Sequence, residues 1–240
     1  MKSAIALCLL AVICTADATF IEILLRQIRN TVQSVESTIK ELERTHDDTE
    51  QNVKLTVMKK WIQKMDAYSK YADPILETIR KEVEEAKAKG KDAQPCYDAA
   101  HNILKSNDYN AMYYARQCQE CAGNAIKDNL SFIDNLIATG RELIEKLKKI
   151  FPDCYEQHSS LWDIIKLHSC INNQLGISKV SVKNLKTDAS SAKSTANSAS
   201  NVVLQQATAC LNDVYSTAHS EVAEARSAAT RCLNNLGNAV

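Results

Sequence analysis

From Ile21 the apolar residues recur in steps of four and three, at Ile21, Leu25, Ile28, Val32, Val35, Ile39 and Leu42. Such a heptad seam commits the segment to a helix that buries one stripe against other helices. Little in the rest of the chain opposes the same outcome. Only five glycines and three prolines occur in 240 residues, while Ala, Leu, Ile, Lys, Glu and Gln are abundant, so long helices are favoured over sheets. We therefore expect an all-α protein, an elongated disulfide-stapled helical bundle with long coiled-coil-like N- and C-terminal helices.

The first eighteen residues read as a secretory leader. Lys2 supplies a positive start, Ile5 to Ile13 an apolar stretch too short to span a bilayer, and Ala16-Asp17-Ala18 a small-residue cleavage site, so Thr19 is the expected first residue of the mature chain. Cys8 and Cys14 would leave with the leader. The remaining seven, Cys96, Cys118, Cys121, Cys154, Cys170, Cys210 and Cys232, would then meet an oxidising compartment where disulfides are the default. After the leader, no apolar run reaches the length of a transmembrane helix, and the end at Leu236 to Val240 lacks a lipid-anchor tail. Basic and acidic residues number 29 each, which gives no reason to expect a nucleic-acid partner. The expected location is extracellular.

Three regions follow: the leader at 1–18, an N-terminal helical region at 19–90, and a cysteine-containing helical domain at 91–240. The seam weakens at His46 and Thr49 and resumes at Val53, Val57, Trp61 and Met65, so the first helix should reach about Tyr71, with a local irregularity near 46–49. Asp73-Pro74 reads as an N-cap and first helical residue, and Gly90 as a stop. Pro95-Cys96 opens another helix, which the turn-forming run Ser106-Asn107-Asp108-Tyr109-Asn110 should fold into a hairpin. A seam through Ile126, Leu130, Ile133, Ile137, Ile144, Leu147 and Phe151, interrupted at Gly140, should end at Phe151-Pro152-Asp153. A further helix should end near Asn173, with Gly176 as C-cap and Ser178 as the next N-cap. From there to Leu236 the seam is lined by small residues: Val182, Leu185, Ala189, Ala192, Ala196, Ala199 and Val203. It reads as a helix dependent on its neighbours, with a Ser/Ala-rich linker as the alternative.

The predicted hairpin sets Cys96 level with Cys118, eleven residues either side of Asn107, and makes them the best disulfide pairing. Cys210 and Cys232 share that separation of 22 but straddle no turn signal, so they must pair elsewhere or not at all. Cys154 and Cys170 would lie about 24 Å apart on one helix and fail the same test. Cys121 shares a face with Cys118 and could join the hairpin to a further segment. Seven is odd, and Cys232 is the least constrained candidate for the unpaired thiol. Cys118-Gln119-Glu120-Cys121 also matches a redox motif, but within a helical pattern the structural reading is preferred.

No catalytic, cofactor or metal site stands out. The chain has no nucleophile elbow, phosphate loop or zinc-protease motif. Cys154, His158, His168 and Cys170 match no zinc spacing. His46 sits at a core-type seam position, where it would set register. Glu82, Glu84 and Glu85, interleaved with lysines, resemble a solvated face. Tyr109, Tyr113 and Tyr114 suggest a contact patch or a cover for a disulfide. Asn129 begins the one glycosylation sequon, Asn129-Leu130-Ser131, which requires Asn129 to face solvent.

The leader, the helical region from about Cys96 to Tyr215, the paired Cys118 and Cys121, and the Ser/Ala-rich C-terminal helix together resemble the TsetseEP family of insect secreted proteins. The resemblance covers roughly the C-terminal half to two thirds of the chain; no single motif in it is diagnostic, and the Glu-Pro repeat tail of the family's namesake is lacking. It implies a secreted, cysteine-bonded helical domain of insect gut or body-fluid secretions, without established enzymatic activity and without catalytic residues to carry over.

Two functions compete. The heptad seam favours a non-enzymatic interaction or structural protein, self-associating or bound to a protein partner. The alternative is an extracellular carrier of a lipid or other small apolar ligand, against which stand an aromatic content of 5% and the alanine-lined seam. A secreted enzyme ranks third.

Overall fold

The computed structural model describes the backbone of residues 2–158 and 163–237 and the side chains of residues 20–158 and 163–236. The side chains of the expected leader, residues 159–162 of the α3–α4 connection and the last three residues lie outside this set. Four helices account for the described elements: α1 (Lys2–Ala88), α2 (Gln94–Asn129), α3 (Ser131–Gln157) and α4 (Ile164–Gly237). The all-α expectation holds, with no strand among the described residues.

Gly90 ends α1 as expected. Its φ is +76°, and the flanking bonds, Lys91 N–H to Ala86 O at 3.2 Å and Gly90 N–H to Lys87 O at 2.8 Å, are the paired C-terminal bonds that a left-handed glycine permits. The turn that follows leads from α1 into α2, and both sides of it belong to the same packed unit. Other local signals were overridden. Pro74 does not start a helix, and Pro152 does not end one; both lie inside, in α1 and α3. Each faces solvent, where water can satisfy the carbonyl that a proline leaves unbonded, while Ala72 and Ile79 beside one, and Ile150 and Cys154 beside the other, are buried. Gly176 is likewise an exposed residue inside α4, not a C-cap. The cost of about 1 kcal/mol for an interior glycine is offset by burial of Ile171, Leu175 and Val182. The helix expected to run unbroken through Ile126 and Leu130 is instead divided at Leu130, a fully buried residue whose carbonyl accepts from Ile133 N–H at 2.8 Å.

Packing groups the chain into two units. One comprises residues 1–48 and 129–197, the other residues 49–128 and 198–240. The division on α1 falls at 48/49, where the apolar seam weakens at His46 and Thr49, although the helix itself is continuous.

The first unit packs the early part of α1, α3 and the early part of α4. α1 and α4 run parallel, as Phe20 against His168 and Gln27 against Lys179 require. α3 runs antiparallel to α1, with Glu43 paired to Arg141 and His46 near Asp134. The core takes Leu24, Ile28, Val35, Ile39 and Leu42 from α1, so the seam is confirmed with Leu24 turned inward rather than Leu25. Gly140, which seemed to interrupt the α3 seam, is buried within it. A Cβ there would lie 2.8 Å from Ile39 Cγ1 and 3.3 Å from Leu185 Cδ2. Close approach of three helices explains the glycine.

The second unit packs the later part of α1, α2 and the later part of α4. α1 and α4 again run parallel, through Trp61–Tyr215 and Glu82–Arg226, and α2 runs antiparallel to α1, through Tyr68–Asp108. The α2 seam is Cys96, Ala100, Leu104, Asn107, Ala111, Ala115, Cys118, Ala122 and Ile126. It faces an α4 stripe containing Ala207, Ala218, Ala225 and Ala229. Two alanine-lined faces let helix backbones come close. The C-terminal stretch is thus a helix, not a linker.

Candidate functional site

The expected hairpin does not form. Ser106 to Asn110 lies inside α2, and Asn107, instead of turning the chain, is 3% exposed in the core of the second unit. Its side-chain amide donates to Ala218 O at 2.8 Å on α4 and to Tyr68 Oη at 3.2 Å on α1. Tyr68 Oη donates in turn to Asp108 Oδ1 at 2.6 Å. Two turns away on α1, Trp61 Nε1 donates to Tyr215 Oη at 3.0 Å, and His219 packs against the rings of Tyr68 and Tyr71. Burial and the Asp108 carboxylate push the Tyr68 phenol well above its ordinary range, and burial raises Tyr215. Both phenols therefore stay protonated and act as fixed hydrogen-bonding groups. A satisfied polar layer of this kind fixes helix register. Asn107 occupies a seam position eleven residues from both Cys96 and Cys118; that spacing was the signal that could have identified it as a core residue.

With no hairpin, Cys96 and Cys118 are not partners. Cys96 is bonded to Cys232 and Cys118 to Cys210, with Cα–Cα distances of 5.7 and 5.9 Å. The shared separation of 22 has a different meaning from the one first given to it. Two antiparallel helices are cross-linked at two levels, and the levels are equally spaced on both. Cys154 and Cys170 also pair, at 5.8 Å, because they belong to two different helices, α3 and α4. The free cysteine among the described residues is Cys121, exposed on α2, and not Cys232.

The disulfide removes Cys154 and Cys170 as ligands for the drawn cluster with His158 and His168, and no group of three or more His, Cys, Asp or Glu among the described residues is arranged for a metal ion. His46, largely buried, sits near Asp47 and Asp134 at 3.3 and 3.9 Å. His101 stacks on Tyr97. Glu82 is not a plain solvated carboxylate. Arg226 grips it in a two-pronged pair at 2.5 and 2.6 Å, and this bond holds Glu82 below its ordinary range and raises Arg226. Glu84 pairs with Lys87 on the surface. Asn129 is exposed and Leu130 buried, which meets the geometric requirement of the sequon.

The second unit leaves apolar side chains in solvent. Leu55, Met58 and Ile62 on α1 are 47–58% exposed, as are Met112, Tyr113 and Tyr114 on α2, and Tyr109 reaches 71%. Tyr109, Tyr113 and Tyr114 thus stand largely in solvent. Leu55, Met58, Ile62 and Met65 are spaced by three, four and three, a second stripe beside the buried one. The first unit has an open α3–α4 groove of about 450 Å³ bordered by Leu143, Lys146, Ile150 and Ile177. It also has a smaller apolar recess of about 220 Å³ formed by Phe20, Ile21, Ile164, Ile165 and His168.

No described helix is long and apolar enough to cross a membrane. Fold and sulfur pattern define the class: an all-α protein built of disulfide-stapled helical bundles. No family model, curated protein or solved structure matches this chain.

Proposed function

We propose that this is a secreted, non-enzymatic helical protein that acts by protein–protein interaction or as a structural component of an extracellular fluid. The exposed Leu55, Met58, Ile62 and Met112 with the α2 tyrosines carry this reading, because Tyr and Met are enriched in the cores of protein interfaces. Three disulfides support export, as does the leader read at residues 1–18. The insect gut or body-fluid setting rests on the resemblance to TsetseEP proteins alone. Glycosylation at Asn129 belongs to the same proposal, and loss of mass on treatment with a peptide N-glycosidase tests it.

The competing carrier reading draws on the recess at Phe20, Ile21, Ile164, Ile165 and His168. At about 220 Å³ it is smaller than the roughly 300–1,000 Å³ of ordinary ligand pockets, and the larger α3–α4 groove is open and bordered by the charged Glu142, Lys146, Lys149 and Asp153, so interaction is the better-supported function. Native mass spectrometry of the mature protein, purified without reductant from the fluid that contains it, separates the two. A dimer or defined complex that the double variant Leu55→Asp, Met112→Asp dissociates supports interaction; both positions are exposed, so the variant should fold. A monomer carrying a discrete apolar mass establishes the carrier.

A further inference from the structure

Two contacts place the exposed apolar residues of the second unit. Tyr68 Oη meets Asp108 Oδ1 at 2.6 Å, and a Cβ on Gly123 would lie 3.6 Å from Lys54 Cε, so residues 54–68 of α1 run alongside 108–123 of α2. Met58 is one turn from Lys54, and Met112 one turn from Asp108, so both border the line where the two helices meet. Leu55 and Ile62, one turn either side of Met58, and Tyr109 and Tyr113, beside Met112, lie on the side turned away from α4, which is contacted instead by Tyr68, Asn107 and Cys118. Tyr114, about 200° round the helix from Met112, does not belong to this face. Its six residues are 47–71% exposed.

We propose that this α1–α2 face pairs with the same face of a second copy of the chain in a two-fold dimer. The inference rests on the interaction reading above and names its partner. At roughly 100 Å² for the exposed half of a large side chain, the six offer about 600 Å² per copy, and a pair removes about 1,200 Å², the lower end of stable specific interfaces. Charge selects the occupant. With 29 basic and 29 acidic residues, two copies meet without net repulsion. Charges along the same stretches are matched within each copy, Glu50 with Lys54 and Asp66 with Lys70 on α1, and Arg116 with Glu120 on α2. Lys59, at the outer edge, can keep its ammonium in water. A partner of another sequence, chosen by charge, would call for a run of one sign; a surface with its charges paired internally can face itself without setting like charges opposite one another. Met58 and Met112 suit such a contact, because methionine adapts its shape and packs well against tyrosine rings.

The test is sedimentation of the purified mature protein, alone and over a dilution series. The wild type should sediment with twice the mass of one chain, and Leu55→Asp, Met112→Asp with the mass of one. Val180→Asp, also at an exposed apolar position but in the first unit, and Cys121→Ser should stay paired. In the unaltered protein, Met58 and Met112 should be oxidised by peroxide several-fold more slowly where the dimer forms than at dilutions where it dissociates. A monomer at every concentration overturns the proposal. So does a dimer that the double variant retains, one lost in Val180→Asp or Cys121→Ser, or equal oxidation rates. The interaction reading fails separately: a monomer that native mass spectrometry finds bound to a different protein in its own fluid overturns the self-pairing and leaves that reading standing, whereas an unbound monomer there ends both.

Discussion

The side-chain amide of Asn107 donates to the backbone carbonyl of Ala218 at 2.8 Å, tying the middle of α2 to α4 inside an otherwise alanine-rich interface. Asn107→Ala removes this bond and the one to Tyr68, and should lower stability in urea denaturation by about 1–3 kcal/mol. Asn107→Leu removes the polar partner without leaving a hole, so it should cost less than Asn107→Ala while weakening register. An equal loss for Leu would mean that the lost hydrogen bonds alone, and not the hole, govern the site; a larger one would mean that leucine does not fit there.

Gly140 meets Ile39 and Leu185 across the core of the first unit. Gly140→Leu should destabilise by about 1–3 kcal/mol through overpacking, despite the better helix propensity of leucine. Adding Ile39→Ala should recover part of the loss, giving a favourable coupling in a double-mutant cycle. Additive effects would show that the contact does not limit packing.

Glu82 is held below its ordinary value of 4.5 chiefly by its hydrogen bond from Arg226. A carboxylate lowered in the folded state contributes stability above its unfolded value, and loses it as pH falls through the folded one. Both side chains are about one third exposed, at 30% and 36%, so after solvent screening the pair is worth no more than about 1 kcal/mol. Glu82→Gln should show this deficit at neutral pH and converge with the wild type as pH falls below 4.5 and through the lowered folded-state value in denaturation series. A deficit independent of pH would assign the loss to packing.

Tyr68 is raised above its ordinary value of 10.0, first by burial and then by Asp108. The unfolded chain therefore gives up this proton at lower pH than the folded one, and stability should fall as pH rises beyond 10. In Tyr68→Phe that part of the alkaline decline should disappear. In ultraviolet titration, Tyr68→Phe should leave the signal near pH 10 unchanged and remove one that appears at higher pH; loss of signal near pH 10 would contradict the buried layer.

Peptide mapping without reduction should recover Cys96–Cys232, Cys118–Cys210 and Cys154–Cys170, with Cys121 unpaired. Replacing Cys96 and Cys232 by serine should cost about 2–4 kcal/mol, read from the shift in denaturation midpoint. A Cys96–Cys118 peptide would restore the hairpin that the sequence suggested.

By itself the sequence determined the helical class, the inward stripe from Ile28 to Leu42, the stop at Gly90 and the small-residue helix running to the C-terminus. All four depend on local periodicity or on one residue's backbone freedom, and neighbours in sequence suffice to read them. Tertiary structure decided whether Pro74, Asn107, Pro152 and Gly176 would break helices. Their local preferences amount to a few kcal/mol at most, and burial of adjacent apolar residues outweighs them. It also decided the sulfur pairing. The matching separations of 22 were visible from the start, but equal spacing fits a hairpin as well as two separate antiparallel helices, and only packing of α2 against α4 chose between them. The polar layer stayed hidden for the same reason: Asn107 in a run of turn formers carries no mark of burial until Tyr68 and Ala218 arrive from helices distant in the chain.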